Sequence, residues 1–138
     1  EIVDEFESVT SSGRYAARLI ADLPADDRRR AYYYTIMPNL MLSIHPDSVN
    51  YYLVWPISAE RTIVESEWLF HPDAFDTPGF NPEDAVSMWD LTNRQDWHIT
   101  EESLIGIKSR RYQPGPYSAR ESMPAAWDRA YLDLMGRH

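Results

Sequence analysis

From Tyr32 to Phe70 the apolar residues recur at every second position, and prolines break the pattern at Pro38, Pro46 and Pro56. A period of two sends alternate side chains to opposite faces, so this stretch belongs in a sheet and not in a helix. Residues 32–37 are rich in strand formers, and residues 39–45 resume the apolar run before Pro46-Asp47-Ser48, which is turn chemistry. Val49, Tyr51, Leu53 and Trp55 then alternate with Asn50, Tyr52 and Val54. After a short loop the alternation returns over 61–70, with Val64, Ser66, Trp68 and Phe70 on one face and Ile63, Glu65, Glu67 and Leu69 on the other. This spacing predicts three strands in an antiparallel meander over 32–70, with one solvated face.

Beyond Phe70 the period changes. Residues 71–80 form a loop containing Pro and Gly, followed by Asn81 as a helix N-cap and Pro82 at the first helical position. Glu83 and Asp84 occupy the first turn, where the helix dipole favours acids. A long helix is predicted over 82–105, stopping near Gly106. A Pro-Gly loop over 112–118 precedes a shorter helix over 122–135, whose apolar face is Met123, Ala126, Trp127, Ala130, Tyr131 and Leu134. Residues 1–31 read as a lead-in segment: an acidic start, a polar break at Ser11-Ser12-Gly13, and a charged turn over 26–30. The fold class expected is α+β, an antiparallel sheet packed on a long helix, in a single domain over residues 1–138. The opening Glu1-Ile2-Val3, without Met, suggests a piece of a longer protein.

Composition removes several functions. A net charge of -9 argues against a nucleic-acid partner. No stretch approaches about 18 apolar residues, so no membrane span is expected. The location expected is cytoplasmic. With no Cys, the chain has neither disulfides nor Cys-held zinc or iron–sulfur clusters. The histidines, His45, His71, His98 and His138, form no HxxxH pair, so spacing alone defines no metal site. The tripeptide HPD occurs at 45–47 and again at 71–73, and both copies read as strand-end turns.

The long helix is more informative. At 100° per residue Trp89, Asn93, Asp96 and Thr100 share one stripe, and Trp97 lies nearby. Trp seldom sits on a fully solvated helix face, so the stripe should turn toward the sheet. A carboxylate there needs a positive partner, either an Arg such as Arg94 or Arg110 or a metal ion. Asp90, six residues earlier, is the competing acid on another part of the helix.

Residue order goes further. The run 89–97 (WDLTNRQDW), then Gly106, Ser109, Tyr112, Pro114-Gly115-Pro116, Ser118 and Glu121, resembles the C-terminal part of the Rieske non-haem iron oxygenase α subunit, the catalytic chain of ring-hydroxylating oxygenases. Asn39-Leu40-Met41-Leu42 and residues 67–72 (EWLFHP) are similar to strand segments of the same family, so the likeness covers about 32–134. It implies an incomplete helix-grip (Bet v1/START-like) catalytic domain, in which sheet and helix enclose a substrate pocket. It also implies a mononuclear Fe(II) held by two His and one carboxylate, and Asp96 matches the carboxylate position. The family's His pair has no counterpart here, and its [2Fe-2S] cluster would lie in an N-terminal domain of the parent chain. Leu40, Leu42, Tyr52, Val54, Trp89 and Asn93 are the candidates to line the pocket.

The partners so implied are a small-molecule substrate (an aromatic ring or a quaternary amine), dioxygen, and a reductase or ferredoxin electron donor, with the parent a homotrimer. The rival expectation is a metal-free helix-grip module that only binds a small molecule, or a fragment inactive by itself.

Overall fold

The computed structural model describes residues 1–137; His138 lies outside the described residues. Its sheet has four strands, β1 (Tyr32–Ile36), β2 (Leu40–Ile44), β3 (Ser48–Ser58) and β4 (Arg61–Phe70), in the order β1-β2-β3-β4 with every pairing antiparallel. The meander is as expected, but the count of three strands is corrected to four. Residues 37–39, around Pro38, form a turn that folds β2 back on β1, because Pro38 has no N–H to continue a ladder.

Register sorts the side chains. Tyr33 pairs with Ser43, Ser43 with Asn50 and Asn50 with Trp68, a row across all four strands on one face. The next row on that face is Thr35, Met41, Tyr52 and Ser66. The opposite face carries Tyr34, Leu42, Tyr51 and Glu67, then Ile36, Leu40, Leu53 and Glu65.

Two helices follow, α1 (Glu83–Ile107) and α2 (Ser122–Leu134). The Asn81 side chain accepts the Glu83 N–H at 3.2 Å, the capping bond expected of it. Gly106 does not stop α1, which runs one residue past it. The chain divides into two compact units, residues 1–100 and a smaller one from Glu101 onward. In the second unit α2 exposes Met123, Tyr131 and Leu134, and Trp127 stacks on Tyr131 with ring centroids 5.5 Å apart. Among the described residues no helix is long and apolar enough to cross a membrane.

The interior of the first unit is unusually polar. Its buried residues include Ser8, Thr10, Ser43, His45, Asp47, Ser48 and Asn50 but, among hydrophobic ones, only Ile2, Ala74 and Ala85. The lead-in accounts for part of this. Asp47, fully buried in the β2–β3 turn, accepts hydrogen bonds from the Ser8 hydroxyl and from the Ala16 N–H, the latter at 2.7 Å. The Ile20 N–H reaches the Pro46 carbonyl at 2.9 Å, and Ser12 bonds the Asp84 carboxylate through its N–H and its hydroxyl. The lead-in thereby straps the β2–β3 turn to the start of α1. Its own bend needs Gly13 (φ 74°), where an added Cβ would lie 2.1 Å from the Phe6 ring.

Candidate functional site

In the first unit α1 lies over the face that carries Tyr33 and Tyr52. The Trp89 ring sits 6.4 Å from Tyr33 and 5.5 Å from His45, centroid to centroid. One turn further along, the Tyr52 hydroxyl donates to Asn93 Oδ1 at 3.2 Å. Among the described residues this is the one hydrogen bond that joins a strand to α1. Burial holds the Tyr52 phenol above its ordinary pKa, and the negative charge of Asp96 adds to the effect. The Asp96 carboxylate is therefore within electrostatic reach of Tyr52.

Asp96 itself is exposed, so the expectation of an inward carboxylate among tryptophans is corrected. Trp97 is also open to solvent, 41% exposed, and builds no apolar surround. The Asp96 side chain has no hydrogen bond or ion pair among the described residues; only its backbone carbonyl is engaged, by the Thr100 hydroxyl at 2.8 Å. Arg94, one of its possible partners, bonds Asp90 at 2.7 Å across one helical turn instead. That pairing also occupies the competing acid.

Of the residues expected to line a pocket, the structure brings together Tyr52 and Asn93 and places Trp89 one turn away. Val54 shares their face of the sheet, two residues on from Tyr52. Leu40 and Leu42 pair with Leu53 and Tyr51 and lie on the opposite face. An open hollow of about 500 Å³, lined by Tyr15, Gly79, Asn81, Glu83, Asp84 and Ser87, sits at the start of α1. Asp84 and Asp96 are twelve residues apart, about 18 Å along the helix, so this hollow is remote from Asp96.

Sequence reasoning missed the polar row beneath α1. His45 Nε2, Asn50 Oδ1, Ser66 Oγ and Trp68 Nε1 are buried with no hydrogen-bond partner; the last three lie on the helix-side face and the His45 ring packs against Trp89. The signal was present: Ser66 and Trp68 were already on one face by alternation, but which face α1 covers depends on cross-strand register. Burial lowers the His45 pKa, only partly opposed by Asp47, so the ring is neutral at neutral pH. Among the described residues no three His, Cys, Asp or Glu side chains cluster as a metal site.

A four-stranded antiparallel sheet with a long helix over one face is an α+β arrangement. The chain belongs to the family described as the ring hydroxylating alpha subunit (catalytic domain), which it matches over residues 4–137. Among individual proteins, it is 44% identical over 72 residues to the glycine betaine monooxygenase oxygenase subunit of Pseudomonas aeruginosa (strain UCBPP-PA14), covering 52% of this chain and 17% of that one. It is 34% identical over 126 residues to the glycine betaine monooxygenase oxygenase subunit of Chromohalobacter salexigens, covering 85% of this chain and 26% of that one. The chain thus spans about a quarter or less of the length of these relatives.

Proposed function

We propose that the chain is part of the catalytic domain of a Rieske-type oxygenase, that this domain is of the helix-grip kind, and that Asp96 supplies the carboxylate of a mononuclear iron(II) centre. One contrast along a single stripe of α1 carries the reading. Trp89 and Asn93 are each engaged by the sheet, whereas Asp96, next in line, keeps an unpartnered carboxylate. An anionic oxygen left free beside a fixed helix face suits a divalent cation that takes carboxylate and imidazole ligands. The donor set fits iron as a single ligand, and two imidazoles would enter from outside the described residues.

When bound, iron(II) supplies the activation of dioxygen, with electrons passed from a reductase or ferredoxin through a [2Fe-2S] cluster in the parent chain. This chain's own residues hold the carboxylate and shape the approach to it. Tyr52, Val54, Trp89 and Asn93 would line the substrate's approach; in support, Tyr52 and Val54 share the helix-side face of the sheet and Asn93 lies within hydrogen-bond reach of Tyr52. Both relatives are named for glycine betaine, which favours a quaternary amine over an aromatic ring as the compound hydroxylated. Aromatic faces attract such a cation. The parent enzyme on this reading is a cytoplasmic homotrimer.

The test is made in the intact oxygenase. Asp96→Asn should lose mononuclear iron and glycine betaine-dependent oxygen consumption together, while the cluster's visible spectrum is kept. Full iron content and turnover in Asp96→Asn would overturn the assignment. Turnover of benzoate with none of glycine betaine would overturn the substrate class.

A further inference from the structure

We infer that Tyr52 is a positioning residue for the metal centre: by holding Asn93 it steadies the middle of α1 against rotation and so aims the Asp96 carboxylate one turn away. The inference rests on the metal reading of Asp96 and adds a residue on a different element.

The lead-in ties the start of α1 through Asp84 and Ser87, up to about 18 Å from Asp96, and the sheet ties it again at Trp89 and Asn93, so the Tyr52–Asn93 bond is the directional tie nearest the Asp96 carboxylate. Trp89, against the Tyr33 and His45 rings, sets where α1 lies along the sheet. A packed ring contact tolerates small rotations, because it has no directional bond. The Tyr52–Asn93 hydrogen bond does have a direction, and no second bond between a strand and α1 backs it up among the described residues. Asn93 and Asp96 are three residues apart and lie within about 60° of each other around the axis.

A magnitude decides whether this matters. Side-chain ends on a helix lie about 5 to 6 Å from its axis, so a rotation of about 20° carries a carboxylate roughly 2 Å sideways. Metal–ligand distances are held to about 0.2 Å. A rotation of only a few degrees is therefore enough to spoil the site. Tyr52 is half-buried, and its hydroxyl keeps its proton at neutral pH, so the donor is present throughout the working range. Asn50, buried two residues before it, supports the strand side of the link through its amide bond to the Glu67 carbonyl at 3.3 Å.

The experiment uses the intact oxygenase with Co(II) as the spectroscopic probe of the mononuclear site. Tyr52→Phe removes the hydroxyl and keeps the ring, and Asn93→Leu breaks the same bond from the helix side, so the outcome does not hang on one variant folding. Each should weaken Co(II) binding about tenfold, the usual scale for an outer-shell partner, and shift the visible Co(II) bands. The double variant should lose no more than either single one, since both remove one interaction. A lowered melting temperature with unmoved bands and affinity would mean a merely structural bond and overturn the inference; so would losses that add. Asp96→Asn separates the two levels. Binding lost there but intact in Tyr52→Phe overturns the positioning role alone, and binding intact in Asp96→Asn overturns the metal reading with it.

Discussion

The two HPD tripeptides offer a controlled comparison, because the same three residues meet different surroundings. Asp47 is fully buried and its carboxylate accepts the Ser8 hydroxyl and the Ala16 N–H. Asp73 pairs with Arg18, and both side chains are more than half exposed, 60% and 64%. Asp47→Ala leaves two donors without an acceptor, and Ser8 is itself only 3% exposed, so water cannot replace what is lost. Hydrogen bonds to a charged group contribute about 1.5–3 kcal/mol each, giving roughly 3–6 for the pair. Relief of the carboxylate's own desolvation offsets part of this, leaving about 3–4 kcal/mol, a large share of a small domain's stability. Asp73→Ala should cost less than about 1 kcal/mol, because an exposed ion pair is screened by solvent. Urea unfolding of the two variants measures the difference, and amide exchange at Ala16 and Ile20 reports where the strap opens. Equal losses in the two variants, or less than about 1 kcal/mol from Asp47→Ala, would refute the view that burial sets the two motifs apart.

The remaining predictions concern pH and activity. Burial depresses the His45 pKa below 6.5, so on acidification the unfolded chain takes up this proton first. Stability present above about pH 6.5 is therefore lost as the pH falls through the folded value, and His45→Phe should flatten that loss in urea titrations run from about pH 5 to about pH 8. The 138-residue chain by itself should show no oxygenase turnover with iron(II), reductant and reductase, because one carboxylate retains iron(II) poorly without imidazole partners. Product formation that depends on Asp96 would contradict this.

Much of the fold was legible because it is written in local periods. Alternation placed β4 and most of β3, although β3 runs on through Pro56 to Ser58 where a break was expected, and Asn81-Pro82 with the following acids placed the start of α1 to within a residue. The runs before and after Pro38 are separate strands, because Pro38 cannot donate to a ladder and the chain turns back on itself there. Contacts between distant segments were not legible. Nothing local to HPD distinguishes Asp47 from Asp73; the difference arises because Ser8 and Ala16 return from far along the chain. Leu40 and Leu42 are apolar strand residues like Val54, and only cross-strand register puts them on the other side of the sheet. The stripe of Trp89, Asn93 and Asp96 was legible, since it follows from helical geometry alone. How far along α1 the surrounding chain would shield that stripe was not, and Asp96 lies where it stays open.

Among the described residues the sheet has two unpaired margins, β1 and β4, and they differ in chemistry. Each presents a line of backbone donors and acceptors that another strand could join. Along β4 the charges Arg61, Glu65 and Glu67 discourage a neighbour, as charged residues on edge strands commonly do. Along β1, Tyr-Tyr-Tyr-Thr-Ile, there is no charge at all, and every residue is a good strand former. An incoming strand, whether from the same polypeptide or from a second molecule, meets least electrostatic resistance at β1. Growth of this sheet is therefore polarised toward the tyrosine margin.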